Sequence, residues 1–307
     1  MVAESVCALV VTHNRKLLLA RCLEALAAQS VPPQRILVVD NASTDGTPEF
    51  LRESGWRDRP DLELLRLNEN TGGAGGFSEG IRHAHATRAE WIWLMDDDAA
   101  PHRDALGSLL AAEPDVKNLY GSVAVAGSRL SWPMVGPQGG DQNMVLDVAA
   151  LRPLHEVLFI PFLGLLLHRT MVDRIGLPHA GFFLAADDVE YSLRARKAGA
   201  RILLVSASRI EHPAADRYAL RLPFKKLWCL RLPPWKRYYD TRNRLLVARQ
   251  HYGLALWYKT IPGSFLRLVA CLLKEDNRLQ QAYAFLAGFI DGMLGRNGCR
   301  HHRWGLG

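Results

Sequence analysis

WIWLMDDDA, from Trp91 to Ala99, decides the fold. Five mostly apolar residues, Trp91 to Met95, run straight into three aspartates. An apolar run of that length, ended by polar residues, predicts a buried strand of a parallel sheet. Asp96, Asp97 and Asp98 then emerge at its C-terminal end, where open α/β sheets bind ligands. Alternate strand residues point the same way, so Asp96 and Asp98 are expected to converge while Asp97 faces elsewhere. Adjacent carboxylates repel unless a cation joins them, and a divalent metal holding a diphosphate resolves the repulsion.

Outward from this strand the chain alternates. VCALVVTHN (Cys7 to Asn14) reads as a first strand, and RKLLLARCLEALAAQ (Arg15 to Gln29) as a helix ended by Pro32 and Pro33. A second strand ends at Asp40, with a helix starting near Thr44 or Asp45, both read as helix-start residues. LELLRLN (Leu62 to Asn68) is a third strand. ENTGGAGGFSEGIRHAHA reads as a glycine-rich turn entering a helix. Its spacing is not GxGxxG and it follows the third strand, so it is no dinucleotide fingerprint. Its glycines would let backbone approach a ligand. This order predicts βαβ units and a parallel sheet.

Further on, YGSVAVAG reads as a strand and WPMVGPQGGDQN as a surface loop. The stretch from Val157 to His168 reads as buried strand, followed by a short helix and Gly176-Leu177-Pro178. In GFFLAADDVEYSLRARKAG (Gly181 to Gly199), Asp187 and Asp188 stand at a helix start. The helix dipole favours carboxylates there, and one of the two can serve as cap. Two in succession, followed by Glu190, exceed capping needs, and burial would raise a general base toward its working range. RILLVSASRIEH reads as a strand ending at His212, where a metal role fits.

The chain has 307 residues, 49% hydrophobic and 22% charged, as in a globular protein. Five scattered cysteines without a CxxC pair argue against a zinc site or a disulfide framework and fit a reducing compartment. The N-terminal residues lack the pattern of a signal peptide, and no apolar stretch is long enough to span a membrane. The net charge of +7 is divided. Up to Asp216 there are 21 Lys/Arg against 27 Asp/Glu; from Arg217 on there are 17 against 4, so −6 is followed by +13. In that basic third, aromatics alternate with cations, no nucleic-acid motif is present, and two broken amphipathic stretches suit an interface. An ordinary helical subdomain or a homo-oligomer interface is the alternative.

VVTHNR, VVDNASTDGT, the triple aspartate and ADDVEYSLRARKAG with its later His together resemble family 2 glycosyltransferases of the GT-A fold, over residues 5 to 213. NTGGAGGF and YYDTRNRLL resemble bacterial galactofuranosyltransferases most, with rhamnosyltransferases next. The resemblance implies a mixed, mainly parallel sheet flanked by helices in residues 1–213, and a basic helical region in 214–307. It implies that Thr12, Arg15 and Asp40 hold the uridine, that Asn70 touches the nucleotide, and that Gly72, Gly73 and Gly75 line the donor. Asp96 and Asp97 join the nucleotide-sugar set. Asp96, Asp98 and His212 bind Mn²⁺ or Mg²⁺. Asp188 is the catalytic base, with Asp187 as the alternative, and Glu190 contacts acceptor hydroxyls. The implied reaction is inverting transfer of galactofuranose from its UDP donor to a polyprenyl-diphosphate-linked glycan at the inner leaflet of the plasma membrane, from the cytoplasmic side. A dTDP-rhamnose transferase, a sugar-nucleotide pyrophosphorylase and an inactive glycan-binding module are the rivals. The pyrophosphorylase lacks support because HNRKLLLA is not a glycine-rich nucleotide loop.

Overall fold

The computed structural model describes residues 5–138, 144–222 and 225–306. The first half alternates strand and helix: β1 (Val6–Thr12), α1 (Lys16–Ala27), β2 (Arg35–Asp40), α2 (Thr47–Glu53), β3 (Leu62–Arg66), α3 (Gly72–Ala86) and β4 (Trp91–Asp96). Next come β5 (Ala100–Pro101), α4 (Ala105–Ala111), β6 (Leu119–Ala126), β7 (Arg129–Val135), β8 (Met144–Asp147), β9 (Leu154–Glu156), β10 (Leu165–His168), α5 (Arg169–Ile175), α6 (Asp187–Lys197) and β11 (Ile202–Glu211). The basic third holds the hairpin β12 (Arg217–Leu222) and β13 (Lys225–Leu230), then α7 (Pro234–His251), α8 (Ile261–Lys274) and α9 (Arg278–Met293).

The main sheet runs β3-β2-β1-β4-β10-β6-β11-β5. β1, β2, β3 and β4 are mutually parallel, and β10 enters antiparallel between β4 and β6. The chain steps outward from β1 to β2 and β3, then crosses back through α3 to place β4 on the other side of β1. That reversal opens a crevice at the strands' carboxyl ends. Both faces of the sheet are covered. Leu9, Val11, Ile92 and Leu94 pack on one side with Phe77 of α3; Val10, Trp91, Trp93 and Met95 pack on the other with Leu19 and Leu23 of α1. Trp91 and Trp93 are fully buried, so truncating either to alanine should cost about 3–5 kcal/mol.

The structure departs from the sequence expectations in four places. Trp132 to Val135 lie in β7 rather than in a surface loop, while Gly139 to Asn143 fall outside the described residues. Only Leu165–His168 of the expected strand from Val157 to His168 is strand, because β10 needs only that length to bridge β4 and β6. The basic region opens with a hairpin, not a helix. The glycine-rich stretch is the first turns of α3 rather than a turn before it. Gly72 has φ +71°, and a Cβ there would sit 1.9 Å from the Phe183 carbonyl oxygen, so that close approach is to the protein's own backbone.

Candidate active site

Three strand ends meet at the crevice. Register pairs Thr12 with Asp40 and Val11 with Asp96, so the polar residues that stop the strands are neighbours. Because β4 ends at Asp96, Asp97 and Asp98 lie in a turn where strand alternation no longer governs direction. Asp97 does not face away. Its Oδ2 accepts from the Thr12 hydroxyl at 2.8 Å, and Arg15 Nη1 stands 3.3 Å from its Oδ1. Arg15 also donates to Asp98 Oδ2 at 2.9 Å. The side chain of Thr12, expected at the uridine, is thereby engaged in holding Asp97. Burial pushes the Asp97 carboxyl above its ordinary range against the pull of Thr12 and Arg15.

His212, just past β11, brings Nε2 to 3.2 Å from Asp98 Oδ1. Asp98 Oδ1 is nevertheless buried without an aligned hydrogen bond, and so is His212 Nδ1. Burial raises the Asp98 carboxyl, but His212 and Arg15 outweigh it and hold it below its usual value. Asp96 goes the other way. Burial lifts it well above its usual value, and the charges of Asp98, Asp97 and Asp187 lift it further. The expected convergence of Asp96, Asp98 and His212 is partial, since Asp96 stands at electrostatic range from the close Asp98–His212 pair. Four carboxylates sharing one mouth repel, and an orphaned oxygen beside an imidazole is a suitable ligand pair for a divalent cation. Oxygen-rich donors with one imidazole suit Mg²⁺ or Mn²⁺. Sequence reasoning missed Lys236 near the start of α7. Burial pushes its ammonium down, and it feels the charges of Arg15, Asp98 and Asp96.

Asp187 and Asp188 open α6. Both are raised, Asp187 to about 7 and Asp188 to about 6, chiefly by burial, with Asp188 adding to the rise of Asp187. They titrate as a pair. Asp188 Oδ1 accepts from the Val189 amide at 2.7 Å, so one carboxylate does serve the helix start. The loop before them is strained: Phe183, Ala185 and Ala186 have φ of 62°, 69° and 63°. Each non-glycine residue in that region costs about 1–3 kcal/mol. What holds the loop comes from α7. Asn243 Nδ2 lies 3.0, 2.7 and 2.8 Å from the carbonyls of Phe182, Leu184 and Ala185. Arg242 donates to Phe182 O at 2.7 Å and to Gly181 O at 3.2 Å. Both side chains are fully buried. They belong to YYDTRNRLL, whose polar pair inside an otherwise helical run was the available signal.

Asp40 is also buried. Its Oδ1 accepts from the Ser43 amide at 2.9 Å, whereas Oδ2 has no hydrogen bond and only Arg66 Nε at 3.6 Å. An acceptor left in that state awaits a donor. Asn70 is exposed, and its Oδ1 accepts from the Gly72 amide at 2.8 Å. Asn41, unanticipated, accepts from the Thr71 amide and donates to Gly72 O, fixing the entry to α3. Among the three expected donor-lining glycines only Gly73 faces open space; a Cβ at Gly75 would strike Thr71. Asp45 behaves as expected of a helix-start residue, accepting from the amides of Thr47 and Lys16. Glu190 is the clear correction. It is fully buried, with Arg194 at 2.9 Å, His251 at 3.1 Å and Gln250 at 3.2 Å on its oxygens, so it ties α6 to α7 and offers nothing to an acceptor.

A mixed, mainly parallel sheet flanked by helices, with a strand-end carboxylate cluster, a His and a second carboxylate pair, defines a GT-A-type glycosyltransferase. Residues 7–127 match glycosyl transferase family 2. Galactofuranosyltransferase GlfT1 of Mycobacterium tuberculosis is 32% identical over 259 residues, 80% of this chain and 83% of the relative. GlfT1 of Mycolicibacterium smegmatis is 30% identical over 289 residues, 86% and 88% of the two chains. In fold alone, the mannosyltransferase PcManGT from Pyrobaculum calidifontis, solved with GDP-Man and Mn²⁺, resembles it with a TM-score of 0.58 at 18% identity, over 94% of this chain and 87% of that one. The chain belongs to glycosyltransferase family 2 and is a glycosyltransferase.

Proposed function

We propose that this enzyme moves galactofuranose from UDP-galactofuranose to a lipid-linked saccharide acceptor, with inversion at the anomeric carbon, in cell-envelope polysaccharide synthesis. The donor choice rests on the likeness to GlfT1 across most of both chains. The observation that carries the chemistry is that the loop leading to Asp187 packs on the start of α3, the Phe183 carbonyl accepting from the Ala74 amide at 3.2 Å, near enough for the Asp187 charge to raise Asp96.

The uracil edge is assigned to Asp40 Oδ2, which lacks a donor. Asp96, Asp98 and His212 are the residues that would hold Mn²⁺ or Mg²⁺, which when bound stabilises charge developing on the diphosphate leaving group. Arg15 and Lys236 add positive charge at the same mouth. Asp188 is partly exposed while Asp187 is 8% exposed, so Asp188 is the carboxylate an acceptor hydroxyl reaches. Its raised value brings it near the range useful for taking a proton at neutral pH. One base opposite the leaving group implies single displacement, hence inversion.

The basic third is assigned to the membrane surface and the acceptor lipid. No helix among the described residues is long and apolar enough to cross a membrane. An apolar surface nevertheless runs over α8, α9 and the short π-helical turn before α8, with Trp257 61%, Tyr258 73%, Leu273 61% and Leu279 88% exposed. Lys259, Lys274 and Arg278 lie among them. Each such cation adds about 1 kcal/mol near an anionic leaflet. On this reading the enzyme is a peripheral protein of the cytoplasmic leaflet, and the exposed apolar and basic residues of α8 and α9 support it.

A donor panel with Mn²⁺ and a polyprenyl-diphosphate-linked acceptor tests the assignment. Galactofuranosyl product from the UDP donor, abolished by EDTA, is expected. Product from dTDP-rhamnose alone would transfer the assignment to a rhamnosyltransferase. Vesicle flotation tests the membrane part: Trp257→Ala combined with Leu273→Glu should reduce recovery with anionic vesicles, and unchanged recovery would refute it.

A further inference from the structure

The C-terminal segment carries a donor set that the reaction does not use. Cys299, His301 and His302 each offer one ligand atom, all within 4.8 Å of one another. Cys299 Sγ lies 3.8 Å from His301 Nδ1, and the two imidazole centroids are 3.8 Å apart. The arrangement is Cys-x-His-His, which a search for paired cysteines does not detect. We propose that Cys299, His301 and His302 form a second metal site, for Zn²⁺, with solvent completing a tetrahedral set.

Three observations support a site over a chance cluster. The backbone is already fixed. The Gly298 amide donates to Gly181 O at 2.6 Å and Arg242 to Gly298 O at 2.6 Å. Arg300 and the Trp304 indole both donate to buried Asp291 of α9, at 2.9 and 3.0 Å. Little chain ordering is left for the metal to impose. One ring is held in place: the Tyr239 hydroxyl lies 2.8 Å from His301 Nδ1, the same nitrogen that stands 3.8 Å from Cys299 Sγ, so a metal on Nε2 would keep that contact and a metal on Nδ1 would displace it. Access is open, because Cys299 and His302 are exposed while His301 is buried.

The chemistry separates this site from the crevice. Thiolate and imidazole suit Zn²⁺, with Zn–S near ~2.3 Å and Zn–N near ~2.0 Å, whereas Asp96 and Asp98 suit Mg²⁺ or Mn²⁺. Binding releases the thiol proton to solvent. The site also borders the catalytic loop, since Tyr239 stacks on Phe183 with centroids 5.0 Å apart. Metal here would lock the turn at residues 299–302, which touches α7 and the loop leading to Asp187 through Tyr239.

Co²⁺ titration of the reduced full-length protein tests the site independently of turnover. One equivalent should produce a thiolate-to-cobalt charge-transfer band, which Zn²⁺ then displaces. Carboxylates cannot give that band, and the other four cysteines are buried. The band should vanish in Cys299→Ser, and His302→Ala should weaken binding at least tenfold; both positions are exposed, so the fold should tolerate them. Asp98→Asn should leave the band unchanged. Absence of the band, its survival in Cys299→Ser, or unweakened binding in His302→Ala would overturn the site.

Discussion

Thr12, Asp40 and Asp96 are held in place by the sheet's own hydrogen bonds, whereas Phe183 to Ala186 are held by the side chain of Asn243, 58 residues beyond Ala185. The first side of the crevice takes its geometry from backbone register. The second side is a strained loop with three left-handed non-glycine residues, and two buried polar side chains of α7 supply its carbonyl partners. The basic third is thus more than a surface for a partner, because one of its helices shapes the candidate base loop.

The contrast is sharpest at the carboxylates. Asp98→Asn removes the charge paired with His212 and Arg15 and should lower kcat/KM by about 10³-fold or more. Stability should fall only modestly, because His212 and Arg15 hold Asp98 ionised in the folded state while no core packing is lost. Radiolabelled donor turnover and a melting curve measure the two effects, and a large loss of stability with modest loss of rate would break the comparison.

Asp188→Asn should lower kcat by about 10²–10⁴-fold. In the wild type the rate should rise with pH through about 6 to 7, where the Asp187–Asp188 pair loses its protons, and that limb should disappear in the variant. The stability sign is opposite. A carboxyl raised in the folded state favours folding fully below its ordinary value of 3.8 and loses that contribution as pH rises through about 6. Asp188→Asn should therefore gain stability relative to wild type by about 1–3 kcal/mol between pH 4 and pH 8. Denaturant melts at both pH values check this.

Asn243→Ala should leave the loop carbonyls without partners. The expected outcome is a loss of about 1–3 kcal/mol in stability and a fall in kcat of roughly tenfold or more through misplacement of the carboxylates, with KM for the donor nearly unchanged. A raised donor KM with normal kcat would show that the two sides are not separately built. The smallest effect belongs to Gly73→Ala. With open space around its Cβ position, stability should rise by up to about 1 kcal/mol as helix propensity improves, while a changed donor KM would place Gly73 against the ligand.

Much of this was legible in the chain. The runs ending at Thr12, Asp40 and Asp96 are apolar because both sheet faces are covered, and they stop where solvent and ligand begin. Asp187 and Asp188 were legible because two carboxylates at a helix start exceed what capping uses. The misses share a cause. Asp97 turned toward Thr12 because β4 ends at Asp96, two residues short of the Asp98 that alternation requires. Glu190 went inward because Arg194, His251 and Gln250, two of them on another helix, surround it.

The sequence by itself determined the strand–helix alternation of the first half, the carboxylate clusters and the charge division, since each follows from local periodicity and residue type. Tertiary structure alone decided that α7 holds the base loop, that Lys236 sits within electrostatic range of Asp96 and Asp98, and that Glu190 is buried. Those depend on which side chains meet across about 60 or more residues of chain, and no local pattern encodes such a meeting.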